Sequence, residues 1–99
     1  MATYITLANF TDQGIRSVKD TTKRSEAVAE LGRKFGVETK AIFWTLGQYD
    51  VVCIFEAPDD PSFTAFGLAI GTQGNVRTET MRAFSKDEMN AMLGKLGGG

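Results

Sequence analysis

The feature that most constrains the fold is a pair of apolar segments, Lys40–Leu46 (KAIFWTL) and Val51–Ala57 (VVCIFEA), separated by Gly47-Gln48-Tyr49-Asp50. β-Branched and aromatic residues crowd both segments, so each reads as a strand. A connection this short leaves no room for a crossover helix, and the two strands must pair as an antiparallel hairpin. Side chains alternate across a strand. With Leu46 set opposite Val51, one face holds Ile42, Trp44, Leu46, Val51, Cys53 and Phe55, and the other holds Ala41, Phe43, Thr45, Val52, Ile54 and Glu56. Both faces are largely apolar. A sheet covered on one side alternates apolar with polar, so this one needs a cover on each side. In the turn, Gly47 is placed for positive φ, Asp50 for accepting backbone N–H bonds, and Tyr49 for setting a phenol-bearing ring at the sheet end.

The flanking segments supply the remaining elements. Thr3–Phe10 (TYITLANF) reads as a first strand. Thr11 or Asp12 then caps a helix whose apolar positions are Ile15, Val18, Thr22, Val28, Leu31 and Phe35, with Gly36 as its end. The Thr21-Thr22 pair marks a kink or a break in it. Arg16, Asp20 and Arg24, and Glu30 with Lys34, form i,i+4 pairs on a solvated face. Asp59, Asp60 and Pro61 open a second helix, with Phe63, Phe66, Gly67 and Ile70 at i, i+3, i+4 and i+7. No charge occurs from Pro61 through Val76, the pattern of a helix buried on more than one side. Gly74 ends it. Val76–Phe84 reads as the last strand. Ser85-Lys86-Asp87-Glu88 is a capping box for a final helix with Met89, Met92, Leu93 and Leu96 as its apolar stripe.

The order β-α-β-β-α-β is the ferredoxin-like arrangement of an α+β chain, a four-stranded antiparallel sheet with both helices on one face. It gives a single domain over 1–99, with a core over 4–84, a C-terminal helix over 85–96 and a frayed tail at 97–99. The second sheet face has no cover in that plan. A second copy packed sheet to sheet is the simplest one, so the expected partner is the chain itself, as a dimer or a higher homo-oligomer.

Trp44–Val52 (WTLGQYDVV), followed by Phe55–Asp60 (FEAPDD) and Gly74–Thr80 (GNVRTET), resembles the GYD-domain family. That family is named for the Gly-x-Tyr-Asp pattern supplied here by Gly47, Tyr49 and Asp50. The likeness runs from Tyr4 to Phe84. The resemblance implies small bacterial and archaeal relatives of unassigned molecular function, with a ferredoxin-like fold akin to the dimeric α+β barrels. It implies no catalytic residue set.

Composition removes whole classes of chemistry. The chain has no histidine, so it lacks an imidazole base, an imidazole metal ligand and any Ser-His-Asp or Cys-His arrangement of its own. Phosphate-loop and dinucleotide glycine patterns are absent. No cofactor and no metal are expected. Eleven basic against twelve acidic residues give a net charge of -1, unlike a nucleic-acid binder, and the third strand lacks the aromatic signature of an RNA-recognition sheet. No nucleic-acid partner is expected. With one cysteine, no leader pattern and no apolar run of membrane-spanning length, the expected setting is cytoplasmic, away from the membrane.

The remaining candidates are few. Cys53, mid-strand, reads as a small buried hydrophobe, and Met89 and Met92 as adaptable packing. Trp44 serves packing or ligand stacking. Glu56 ends an apolar face and needs a partner, which Arg77 or Arg82 on the last strand would provide, or else a raised pKa. Two functions fit. The first is a non-enzymatic homo-oligomeric module that self-associates through its sheet and binds a small apolar or amphipathic molecule, with Trp44, Tyr49, Asn75 and Arg77 as binding residues. The alternative is a cofactor-independent enzyme of the dimeric α+β barrel type acting on a small metabolite. In it Glu56 or Asp50 is the base, and Tyr49, Asn75 and Arg77 orient the substrate.

Overall fold

The first strand, β1 (Ala2–Phe10), lies in the middle of the sheet, antiparallel to β3 (Val51–Ala57) on one side and β4 (Val76–Ala83) on the other. β2 (Glu38–Trp44) extends the β3 edge, which gives the order β2-β3-β1-β4. The arrangement comes from a computed structural model that describes residues 1–97; of the tail expected to fray at 97–99, the last two residues lie outside the described residues. Between β1 and β2 run α1 (Asp12–Arg16), a 3-10 turn (Val18–Asp20) and α2 (Thr21–Lys34). α3 (Asp60–Thr72) links β3 to β4, and α4 (Lys86–Gly94) follows the sheet. The fold is the ferredoxin-like α+β arrangement with an added C-terminal helix. No helix among the described residues is long and apolar enough to cross a membrane.

α2 and α3 cover the sheet face formed by Tyr4, Thr6 and Ala8 of β1 and Val51, Cys53, Phe55 and Ala57 of β3, all of them buried. α3 presses Phe63, Phe66 and Ile70 onto it, and Val28, Leu31 and Phe35 pack from the α2 side. Aromatic rings fill the end of this layer beneath β1's start. Tyr4 stacks on Phe63 at 4.3 Å between centroids, and Phe55 meets Phe66 edge-on at 5.3 Å. Burying a side chain such as Phe55 or Phe66 fully is worth about 1.5–3 kcal/mol. Toward the other end the sheet offers smaller residues, Thr6, Ala8, Val51 and Cys53, and the layer is looser there.

The hairpin register differs from the expected one by two residues. Trp44, not Leu46, stands opposite Val51, with Ile42 opposite Cys53. A shift of two preserves the faces, so Ile42, Trp44, Val51, Cys53 and Phe55 still share one side. Leu46 drops out of the strand and is fully exposed. The reason is Asp50. Its backbone N–H donates to the Ala8 carbonyl, and its carboxylate accepts from the Phe10 N–H at 2.9 Å. These bonds tie the re-entry to β1, while Thr45 closes the loop through Asp50 O and Tyr49 O. β2 therefore starts earlier than expected, at Glu38, and carries a register shift between Thr39 and Ala41.

The first helix is also reorganised. The break falls at Ser17–Asp20, ahead of Thr21-Thr22, and leaves Ile15 and Val18 exposed instead of on the buried stripe. α1 is pinned instead by the turn after α3: Thr11 N–H donates to Asn75 O and the Thr11 hydroxyl to Gly74 O. The approach is so close that a Cβ on Gly14 would lie 2.0 Å from Asn75 O. Of the expected ion pairs, Glu30 takes Arg33 rather than Lys34, and Arg24 turns to the backbone of α1. α3, although uncharged from Pro61 on, is buried along one side; Leu68 on its outer side is 69% exposed. The expected Ser85–Glu88 capping box is present on α4, whose Met89, Leu93 and Leu96 remain exposed.

Candidate functional site

Where the aromatic filling of the core stops, a cavity of about 90 Å³ opens between α2, the end of α3 and the sheet. α2 contributes Thr21, Arg24, Ser25 and Val28, the i, i+3, i+4, i+7 positions of one helix face. Small residues of the central strands, Thr6, Ala8, Val51 and Cys53, make the floor. Ile42 and Trp44 come from β2, Gln73 and Asn75 from the turn after α3, and Thr78 from β4. The interior is lined by carbon almost throughout.

The mouth is held together by named bonds. Trp44 Nε1 donates to Thr21 Oγ1 at 3.0 Å and joins β2 to the start of α2. Arg24 reaches back to the end of α1, donating to Ser17 O at 2.8 Å, Ser17 Oγ at 2.7 Å and Gly14 O at 3.1 Å. Carbonyls at a helix C-terminus carry partial negative charge, so a guanidinium suits that place. Asn75 Oδ1 accepts from Gln13 Nε2 at 3.0 Å, which fixes its side chain beside the opening. Burial pushes the Cys53 thiol up to about 11; at neutral pH it is protonated, an apolar wall group and a poor nucleophile.

The residues singled out in the sequence divide between two places. Trp44 and Asn75 are together at the cavity. Tyr49, Arg77 and Glu56 are not. Glu56 stands opposite Thr3 and Glu38 on the other sheet face and makes no ion pair among the described residues. The expected partnership with Arg82 fails on strand parity, because Arg82 is opposite Tyr4 on the helix-covered side, where it pairs with Glu88 at 3.6 Å. Arg77, opposite Asn9, lies at the far end of β4. Tyr49 donates its phenol hydrogen to Glu79 Oε2 at 3.1 Å, and that bond holds the phenol pKa above its ordinary value. Asp50 is engaged by the Phe10 N–H as part of the turn. Among the described residues no carboxylate lines the cavity, and neither Glu56 nor Asp50 is in its wall, so neither expected base can act inside it in this arrangement.

Arg24, Thr21, Ser25 and Gln73 were not visible as site residues. A signal did exist: Thr21, Arg24 and Ser25 continue the inward face of α2 one turn before Val28, Leu31 and Phe35. Polar residues on an otherwise apolar inward face mark a place where the core stops. In the sequence this was masked by the equally good reading of Arg24 as one member of a solvent-side charge ladder.

The second surface is the sheet face without helices. Ile5 and Leu7 of β1, Val52 and Ile54 of β3, Ala41 and Phe43 of β2, and Met81 of β4 point to it, since cross-strand partners share a face. Phe43 is 57% and Met81 48% exposed. Glu56, Arg77, Glu79 and Tyr49 border this apolar centre with charge and hydroxyl.

Comparison with known proteins gives the family. The profile described as GYD domain matches residues 4–93. A "Glutamine synthetase and cystathionine beta-lyase binding protein" from Thermus thermophilus is 35% identical over 94 residues, covering 94% of this chain and 99% of the relative. The crystal structure of TTHA0845, also from Thermus thermophilus, is 23% identical and covers 86% of this chain and 95% of its own, with a TM-score of 0.49. With its Gly47-x-Tyr49-Asp50 turn and a profile match over most of its length, the chain belongs to the GYD domain family.

Proposed function

We propose that this protein is a non-catalytic binding module that pairs with a second copy through its open sheet face, holds a small molecule in its cavity and docks onto metabolic enzymes. The observation that carries this reading is the helix-free apolar face, on which Phe43 and Met81 are exposed and Ile5, Leu7 and Ile54 are half-buried. Contiguous exposed apolar surface of this kind on a small globular protein marks an interaction site. A flat sheet face is self-complementary under a two-fold axis, so a second copy fits it without further invention. Enzyme docking is supported by the name of the Thermus relative, which is alike over nearly its whole length. In such an assembly the sheet faces are consumed by the dimer, and the helices and hairpin loops remain for enzyme partners.

Light scattering at micromolar concentration is expected to give at least twice the chain mass. Ile54, opposite both Ile5 and Ala41, sits centrally on the face. Ile54→Asp is expected to leave a folded monomer by circular dichroism, because a buried unpaired charge opposes association. A wild-type protein that stays monomeric ends the self-association reading. Surface plasmon resonance against glutamine synthetase and cystathionine beta-lyase from the encoding organism tests the docking part, and flat traces with both remove it.

A further inference from the structure

We infer that the cavity is a site for a small monocarboxylate with an apolar or aromatic body, its carboxylate held at the mouth by Arg24. The inference names the ligand class of the binding-module reading and so rests on it. The chemistry rests on the charge at the mouth and on the wall and volume behind it.

Among the described residues the cavity wall has one cation, Arg24, and no carboxylate. Among the described residues Arg24 is in no ion pair; the pairs are Glu30–Arg33, Glu38–Lys40 and Arg82–Glu88. Three N–H bonds to Ser17 and Gly14 fix the guanidinium, and a guanidinium has five donors, so donors remain for a ligand. An arginine held by its own backbone and left without a carboxylate is preorganised for one that arrives from outside.

α2 starts at Thr21, on the same rim, with no acid in its first turn. Its N-cap, Asp20, is exposed and makes no side-chain bond to the helix. The Thr21 N–H already donates to Val18 O and the Asp20 carboxylate offsets the helix end, so the positive charge at the opening is that of Arg24.

Below the rim the wall is apolar: Ala8, Val28, Ile42, Val51 and Ile70 surround the space, and Trp44 offers a ring at its edge. Such a wall gives a fully polar ligand nothing to bond deep inside. A water-sized group takes roughly 10–15 Å³ of such space, so about 90 Å³ admits a body of the size of a benzene ring or a short alkyl chain. A dianionic phosphate would find a single arginine and little else to meet its charge.

The protein carries its own reporter, because Trp44 is the chain's one tryptophan and lies on the rim. Benzoate and benzamide serve as probes, since they share shape and differ in charge. Titration of the full chain is expected to give a saturable Trp44 fluorescence change with benzoate, at an affinity about tenfold or more above that for benzamide. Arg24→Gln is expected to bring the two probes within about twofold, and Arg24→Lys to keep part of the preference. Because Arg24 also braces α1, the Gln variant is checked by circular dichroism; if it does not fold, the wild-type ratio decides. Equal affinities for the two probes, or no saturable response to either, overturn the site. Light scattering on the same samples separates the two readings. A dimer blind to benzoate fails here alone, and a benzoate-binding monomer fails the association reading alone.

Discussion

Asp50 and Gly47 sit three residues apart in one loop and do different physical work. Asp50 joins the hairpin to the central strand through its carboxylate on the Phe10 N–H and its own N–H on Ala8 O. Asp50→Ala leaves a partly buried N–H without its charged acceptor and is expected to cost about 2 kcal/mol in urea unfolding. Gly47 has φ +107° and nothing within 4 Å of where a Cβ would stand. Its requirement is therefore conformational and not steric. Gly47→Val is expected to cost about 1 kcal/mol or more, and a variant as stable as the parent would place Gly47 in an ordinary turn. The sequence made both residues visible through their pattern, but not the partner of Asp50. A carboxylate beside a turn looks the same whether it caps its own loop or crosses to another strand.

Helix ends are where local sequence and local structure agree best. Asp59 accepts from the Ser62 N–H at 2.8 Å at the start of α3, and that bond holds its carboxyl below the usual value of 3.8. Glu88 is lowered in the same direction, first by the Ser85 N–H of the capping box. A carboxyl lowered in the folded state binds fewer protons there than in the unfolded chain, so acid favours unfolding. The contribution is fully present above about pH 4–5 and is lost as pH falls through the folded-state values. Far-UV circular dichroism melts at pH 7 and pH 3 are expected to show lower helix stability in acid. Asp59→Asn should flatten that dependence, and an unchanged slope would remove Asp59 from the account. These caps were legible because each is contained within four residues. The break ahead of α2 was displaced from its expected site for the opposite reason: it is set by α1 closing against the turn at Asn75, far away in the chain.

At the scale of the whole molecule the proposed pairing through the open sheet face has a thermodynamic consequence. If folded chains are stabilised by pairing, mass action makes stability depend on protein concentration. The melting temperature is expected to rise across a hundredfold increase in concentration for the wild type and to stay level for Ile54→Asp. A wild-type melting point independent of concentration would argue against coupling between folding and association. The surface and the cavity are on opposite sides of one sheet. The proposed ligand, entering between the helices, would therefore leave the proposed pairing face untouched.

Residue pattern alone determined the element order, the antiparallel hairpin, the alternation that keeps Ile42 with Trp44 and Phe43 with Ile54, and the family through Gly47, Tyr49 and Asp50. All of these are local, set by periods of two or near four and by turn chemistry. The tertiary structure decided which apolar face the helices take. Both faces carry enough apolar area to be chosen, and the choice depends on how β1 places Tyr4, Thr6 and Ala8 beside Val51, Cys53 and Phe55. It also decided that the core stops short of Arg24, because a cavity is a mismatch of volumes between distant segments. No one segment of the sequence contains that quantity.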